Sequence, residues 1–191
     1  MKLSVESYEV CQKFGYKEGL RLIKNAGFDA VDFSYYDLES DSPVLGDDYV
    51  NFAKDIRSYL DEIGLECNQA HAPFNLCARD NRDYTVRAYV EICRAIESAA
   101  ILGAKTIIIH HQFTYNMKAD VGMDYLYFNY YHYKSFEPLC KKFGINISVE
   151  NMFYLDPKRN HRRGKVSDPL TVTEFINRTP ATACATSRRK C

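Results

Sequence analysis

Residues 101–110 have the sequence ILGAKTIIIH, and this stretch decides the fold. Gly103 follows an apolar, helix-like segment. The next apolar run consists of Ile107, Ile108 and Ile109, with Thr106 before it and His110 directly after it. A strand that is apolar on both faces is typical of a parallel sheet covered by helices. The stretch therefore predicts a helix, a glycine, a buried parallel strand and then a titratable side chain.

The same order recurs along the chain at a regular interval. Gly27, Gly64, Gly103 and Gly144 each separate a helix-like segment from the start of a strand, and successive glycines are 37, 39 and 41 residues apart. Glycine is favoured just past a helix because it adopts the left-handed conformation without strain. A period of about 40 residues with alternating strands and helices predicts βα units and a parallel sheet.

The pattern predicts five strands and five helices. We expect strands at about 2–7, 28–34, 65–71, 104–110 and 145–150, and helices at about 16–26, 47–63, 82–102, 124–143 and 168–177. Eight such units close a TIM barrel of roughly 250 residues. The 191 residues leave room for five, so we expect an α/β fold of the (β/α)8 TIM-barrel type with only about the first five βα units, over residues 1–177. A doubly wound open sheet is the alternative, although the chain has no Gly-x-Gly-x-x-Gly or Walker sequence.

Residues 178–191 differ from the rest of the chain. They contain no Val, Ile, Leu, Met, Phe or Tyr, so we expect a basic tail that does not look native to the barrel, and no sixth strand, although one is due near residue 180. Two explanations stay open: a disordered tail, or a chain that is cut short with an altered reading frame. Translating the downstream DNA in all three frames separates them.

Composition narrows the classes of function. Lys and Arg together number 25, as do Asp and Glu, so the net charge is zero, which argues against nucleic acid as a partner. No apolar run approaches the roughly 20 residues of a membrane span, and the N-terminus lacks a signal-peptide pattern. The seven cysteines form no Cys-x-x-Cys motif. Reduced thiols in a cytoplasmic protein without a membrane partner are the simplest interpretation.

Three titratable residues end predicted strands: His71, His110 and Glu150. Because parallel strands end at a common edge, we expect these side chains to converge. Two imidazoles and a carboxylate form a mixed nitrogen and oxygen set that suits a divalent ion such as Mn²⁺, Zn²⁺, Mg²⁺ or Co²⁺. A buried carboxylate is costly unless it is paired or binds a metal, so Glu150 is a candidate ligand or proton-transfer base. A salt-bridged glutamate and core histidines remain the alternatives.

Other residues are candidates at the same edge. Glu6 ends the first strand, and Asp32 lies within the second. The segment 158–165 includes Arg162 and Arg163, whose guanidinium groups match phosphate oxygens, although a solvated charged loop explains it equally well.

The strand ends resemble the xylose isomerase-like TIM-barrel superfamily. The resemblance rests on Gln69-Ala70-His71-Ala72-Pro73, Ile108-Ile109-His110 and Ser148-Val149-Glu150-Asn151, followed by Ser167-Asp168-Pro169 at a helix start. It covers residues 1–177. This superfamily holds sugar and sugar-phosphate isomerases and epimerases, and also the apurinic/apyrimidinic endonucleases.

The resemblance implies roles for these positions. Glu150 corresponds to a metal-binding glutamate that also works as an acid/base in the epimerases. His71 and His110 correspond to metal ligands in the endonucleases and to substrate-pocket residues in single-metal isomerases. Together with the candidates named above, the predicted substrate-binding residues are His71, His110, Glu6, Asn151, Arg162 and Arg163. The family's further ligands, which lie on strands six to eight, do not occur in this sequence.

The expected activity is isomerisation or epimerisation of a sugar or sugar phosphate, with a divalent ion and Glu150 as the acid/base. Two alternatives stay open: a metal-dependent apurinic/apyrimidinic endonuclease-like nuclease, and a non-catalytic fragment that lacks the remaining ligands. An open sheet edge and an uncovered apolar face also predict self-association.

Overall fold

The computed structural model describes residues 2–36, 42–74, 81–111 and 123–150, together with the backbone of a strand at 183–186. The elements in chain order are β1 (Ser4–Glu6), α1 (Tyr8–Phe14), α2 (Tyr16–Asn25), β2 (Ala30–Ser34), α3 (Tyr49–Ile63), β3 (Glu66–His71), α4 (Arg82–Leu102), β4 (Thr106–Ile108), α5 (Met123–Phe143), β5 (Asn146–Glu150) and β6 (Ala183–Thr186). The predicted strands and the first four predicted helices therefore exist, with small differences at their ends.

The six strands form one sheet in the order β1-β2-β3-β4-β5-β6, and every neighbouring pair is parallel. A doubly wound sheet reverses its strand order near the middle, and this sheet does not. The topology is that of a TIM barrel in which each strand adds beside the previous one. Because all strands are parallel, their C-terminal ends lie along the same edge of the sheet.

Glycine ends the helices as the sequence predicts. Gly64 and Gly103 follow α3 and α4 with φ values of 65° and 97°, which lie in the left-handed region. A long polar side chain from the preceding helix also caps each of these ends. Lys24 donates to the carbonyl of Gly64, and Arg57 donates to the carbonyl of Leu102. Helix C-termini carry carbonyl groups without helical partners, which these cations satisfy.

The core lies between the sheet and the helices. β2 is buried along its whole length, and the helices contribute an apolar stripe that includes Leu20, Ile56, Leu60, Ile92 and Ile96. Within the described part of the chain, no helix has both the length and the apolar character that a membrane crossing demands.

Three sequence predictions need correction. The prediction that residues 178–191 cannot supply a strand was wrong, since Ala183–Thr186 pairs in parallel with β5. A ladder is made by backbone groups, so a strand of small residues can pair without large apolar side chains. Helix α1 was not predicted, because Ser7 and Gly15 confine it to seven residues and leave little room for a periodic pattern. Strand β4 is shorter than predicted and ends at Ile108.

Several predictions fall outside the described residues. These are the helix at 168–177, the charged segment 158–165, and the candidate residues Asn151, Arg162 and Arg163. The extent of the barrel over 1–177 and the character of the 178–191 tail remain predictions.

Candidate metal centre

Backbone hydrogen bonds between neighbouring strands align their C-terminal ends. The amide of Tyr35 donates to the carbonyl of His71 at 3.0 Å, and the amide of Ala72 donates to the carbonyl of Ile108 at 2.8 Å. The amide of Ile109 then donates to the carbonyl of Ser148 at 3.1 Å. These hydrogen bonds continue the parallel pairing past the ends of the strands. The residues at the C-terminal ends of β3, β4 and β5 therefore lie side by side.

His71, His110 and Glu150 come together at this edge. One ligand atom from each residue lies within 4.8 Å of those of the other two. His71 and His110 are 3% and 6% exposed, and their rings stack with centroids 5.7 Å apart. His111 is also buried but does not belong to this group. The structure thus brings together the three residues that the sequence places at strand ends.

Asp32 on β2, a minor candidate from the sequence, makes closer contacts in this site than the sequence predicted. Its Oδ1 atom lies 2.9 Å from Nδ1 of His71, and its Oδ2 atom accepts a hydrogen bond from Nε2 of Gln69. Asp32 is 5% exposed, so this carboxylate is buried, as is its partner His71. Its buried position in the apolar sequence Val31-Asp32-Phe33 was the available signal, since a carboxylate there needs a partner.

The electrostatics of the site differ between the two imidazoles. Burial by itself lowers the pKa of His71, but the hydrogen bond with Asp32 and the Glu150 carboxylate outweigh it and raise the pKa to about 9. Burial, followed by the charge of His71, lowers the pKa of His110 to about 4. At neutral pH and without a metal, the structure therefore holds a charged imidazole between two carboxylates, beside a neutral one.

Two aromatic side chains line the imidazoles. The ring centroid of Tyr36 lies 5.2 Å from that of His71 and 6.2 Å from that of His110, and the ring of Phe74 lies 4.5 Å from His110. Burial and the carboxylates of Asp32, Glu150 and Glu6 raise the pKa of Tyr36 above its usual value. The site is therefore a polar cluster with an aromatic border.

Glu6 lies at the end of β1 as predicted, and its structural contact is local. Its Oε1 atom accepts a hydrogen bond from the amide of Tyr8 at 2.6 Å. This carboxylate therefore satisfies a backbone donor at the start of α1, where helices leave such groups without helical partners. A role of Glu6 toward substrate remains a prediction.

Comparisons with known proteins agree with this topology. The family described as xylose isomerase-like TIM barrel matches residues 20–179. No curated protein matches the sequence. Solved structures with the same fold include the apo form of 3-keto-D-glucoside 4-epimerase YcjR from E. coli, with a TM-score of 0.69 and 16% identity. They also include D-psicose 3-epimerase in the presence of D-fructose, with a TM-score of 0.67 and 13% identity.

A xylose isomerase-like TIM barrel protein from Mycobacterium smegmatis in complex with magnesium has a TM-score of 0.64 and 12% identity. The alignments to these three structures cover 97% of this chain, but only 67%, 62% and 63% of the epimerase from E. coli, the psicose epimerase and the mycobacterial protein. The chain thus spans about two thirds of their length. The fold of this chain is accordingly that of a partial barrel.

Proposed function

The chain belongs to the xylose isomerase-like TIM-barrel family, and from this premise we propose that it is a sugar or sugar-phosphate isomerase or epimerase. It uses a divalent metal ion, and Glu150 is its acid/base. The observation that carries the proposal is the convergence of His71, His110 and Glu150, whose ligand atoms lie within 4.8 Å of one another at the C-terminal edge of the sheet. This edge is where TIM-barrel enzymes have their active sites.

The donor set fits a divalent ion. Imidazole nitrogen and carboxylate oxygen bind such ions at about 2.0–2.2 Å, so donors around one ion lie roughly 3–4 Å apart. The three side chains need only a small adjustment from their present separations to reach that range. Two imidazoles with one carboxylate favour Zn²⁺, Mn²⁺ or Co²⁺, and the mycobacterial protein in complex with magnesium supports a divalent ion in general.

A divalent ion held by His71, His110 and Glu150 would supply Lewis acidity, which would polarise the carbonyl oxygen of an open-chain sugar and make the C–H group beside it acidic. Glu150 has two carboxylate oxygens, so one oxygen can bind the ion while the other accepts the proton from that carbon. Oε2 of Glu150 lies 3.8 Å from Nε2 of His71, and a cation held between these two groups would favour the ionised carboxylate. Glu150 therefore starts the reaction as a base.

The border of the site suits a sugar. Phe74 is 43% exposed, and its ring covers the imidazole of His110. The ring presents an apolar surface against which the C–H groups of a sugar can pack, while the cluster beside it holds polar groups. Asn151, Arg162 and Arg163 remain proposed substrate contacts, the two arginines toward a phosphate group.

The test is proton exchange in D₂O. The protein is saturated in turn with Zn²⁺, Mn²⁺, Co²⁺ or Mg²⁺ and incubated with free and phosphorylated ketoses. Loss of the proton on the carbon next to the carbonyl is followed by NMR. Glu150→Gln should slow this exchange by about 100- to 10,000-fold, which is the usual contribution of proton transfer by a positioned base. Glu66→Gln is the matched control, because Glu66 is exposed at the other end of β3. Absence of exchange with every sugar would contradict the proposal.

A metal-dependent nuclease is the second candidate, and one observation favours it. Both imidazoles share the site with Glu150, as the resemblance to the apurinic/apyrimidinic endonucleases implies. Binding of DNA phosphates requires a basic surface, and the zero net charge opposes it. Cleavage of a duplex with an abasic site by the Zn²⁺-loaded protein, with loss in Glu150→Gln, would favour the nuclease over the isomerase.

A further inference from the structure

We infer that Asp32, held in place by Gln69, is a positioning residue that fixes the imidazole of His71 with Nδ1 toward β2 and Nε2 toward Glu150. This inference rests on the proposed function for its consequence, which is metal binding through Nε2. The geometry that carries it lies within the protein and does not depend on the metal.

The first step is the hydrogen bond itself. Nδ1 of His71 and Oδ1 of Asp32 are 2.9 Å apart, which is the usual length for a hydrogen bond between a nitrogen donor and a carboxylate. An ionised carboxylate only accepts hydrogen bonds, so Nδ1 must carry the proton. The nitrogen that can give up its proton and bind an ion is therefore Nε2, which lies 3.8 Å from Oε2 of Glu150.

The second step is the restraint on Asp32. Its second oxygen accepts a hydrogen bond from the side-chain amide of Gln69, so both carboxylate oxygens are used. Asp32 and Gln69 are also directly paired across the β2–β3 ladder. Rotation of the Asp32 side chain would break both hydrogen bonds while the residue stays buried, and unpaired buried polar groups are costly. The carboxylate is thus held on both sides.

The third step is the backbone around the ladder. The register between β2 and β3 shifts between Val31 and Asp32, so that Val31 pairs with Cys67 while Asp32 pairs with Gln69. The shift inserts one extra residue into β3, and it brings Gln69 rather than Asn68 opposite the carboxylate. Such bulges often redirect a side chain next to a functional site. This bulge therefore places Gln69 where it can bind the carboxylate of Asp32 while that carboxylate also contacts His71.

The consequence is a defined orientation of one ligand. In metal sites, a carboxylate that accepts from the second nitrogen of a ligating histidine fixes the ring, and its loss typically lowers metal affinity about 10–100-fold. Asp32 would act in this way on His71. It touches neither substrate nor ion, so it is a positioning residue rather than a catalytic one.

The first test uses the metal-free protein with ¹⁵N-labelled histidine. The Nδ1 proton of His71 should give a downfield NMR signal that exchanges slowly with water. Asp32→Asn keeps an acceptor and should shift this signal upfield, while Asp32→Ala should abolish it. Gln69→Leu should speed its exchange. A signal that is unchanged in Asp32→Asn, or an Nδ1 atom without a proton in the wild type, would overturn the inference.

The second test measures Zn²⁺ affinity by competition with a chromophoric chelator. We expect Asp32→Asn to weaken binding about 10-fold and Asp32→Ala about 100-fold. Asp61→Asn is the control, since Asp61 is exposed on α3. Equal affinity of Asp32→Ala and the wild type would overturn the inference and leave the proposed function intact. If the wild type binds no divalent ion, the proposed function fails, and the Nδ1 signal still decides the orientation of His71.

Circular dichroism of Asp32→Asn in the metal-free state separates positioning from folding. The isosteric variant should melt cooperatively and keep the wild-type spectrum. Loss of the folded state in both Asp32 variants would show that the carboxylate maintains the sheet rather than the ring, and this result too would overturn the inference.

Discussion

The Nε2 atom of His71 lies 3.8 Å from the Oε2 atom of Glu150, although β4 separates their two strands in the sheet. Strands two places apart are separated by about 10 Å at the backbone. The short contact is possible because both side chains extend over β4 on the same face of the sheet. His110, which follows β4, completes the group between them. A site of three donors thus draws on three successive strands.

The first prediction concerns two of the three proposed ligands. Glu150→Gln and His110→Asn should each lower the affinity for Mn²⁺ or Zn²⁺ by at least about 100-fold, or roughly 3 kcal/mol, since each removes one of three donors. Isothermal titration calorimetry provides the measurement. Glu66→Gln should bind as tightly as the wild type, because Glu66 is exposed at the opposite end of β3. Wild-type affinity in Glu150→Gln would remove Glu150 from the set of ligands.

The second prediction concerns stability in acid. Burial lowers the pKa of His132 on α5 to about 4, against about 6.5 in the unfolded chain. Below pH 6.5 this histidine is protonated in the unfolded chain, whereas in the folded protein it stays neutral down to about pH 4. The free energy of unfolding therefore decreases as the pH falls from 6.5 to 4. His132→Phe should reduce this loss by up to about 1.4 kcal/mol per pH unit.

Phenylalanine fits this position because the His132 ring already packs against Phe136, with centroids 4.9 Å apart. Urea denaturation between pH 6.5 and 4.5 provides the measurement. Identical pH profiles of the wild type and His132→Phe would show that His132 does not contribute to the loss of stability in acid.

The third prediction concerns the end of α4. A Cβ atom at Gly103 would lie 2.1 Å from Nη1 of Arg57, which donates to the carbonyl of Leu102. Gly103→Ala should therefore cost the strain of a left-handed alanine, about 1–2 kcal/mol, and also the Arg57 cap, about 1 kcal/mol. Gly144→Ala is the matched control, since its φ is also positive and, apart from its chain neighbours, no atom of the described residues lies within 4 Å of an added Cβ atom.

A double-mutant cycle with Arg57→Met checks the origin of the difference. If the cap explains it, the extra cost of Gly103→Ala over Gly144→Ala disappears in the Arg57→Met background. Persistence of the extra cost would assign it to the backbone instead.

The fourth prediction concerns a buried hydrogen bond between β2 and α4. The hydroxyl of Tyr35, which is fully buried, donates to Oγ of Ser98 at 2.8 Å. Ser98→Ala should destabilise the protein by about 1–3 kcal/mol, because it leaves a buried hydroxyl without its partner. In a Tyr35→Phe background, the same change should cost much less. Equal costs in both backgrounds, measured by thermal denaturation, would show that the hydrogen bond does not contribute.

Much of the fold can be predicted from the sequence because the signals that end its helices are local. Gly64, Gly103 and Gly144 mark helix ends through their own backbone conformation, which depends little on the rest of the chain. Apolar strands between them then give the βα order. The convergence of His71, His110 and Glu150 follows from this order, because parallel strands end at one edge.

The remaining features depend on contacts that no local pattern encodes. The partnership of Asp32 with His71 requires the β2–β3 register, including the shift between Val31 and Asp32. A shift of one residue reverses which face a side chain occupies, and the sequence alone does not specify where it falls. Strand β6 likewise depends on its backbone pairing with β5, a strand that is distant from it in the sequence.

The central claim is that one divalent ion binds between three successive strands, and crystals of the protein soaked in Mn²⁺ test it most directly. Anomalous diffraction should show one peak within about 2.3 Å of Nε2 of His71, an imidazole nitrogen of His110 and a carboxylate oxygen of Glu150. In crystals of Glu150→Gln the peak should weaken or vanish. A wild-type crystal with no peak at this edge of the sheet, or with a peak that these three side chains do not touch, would contradict the account.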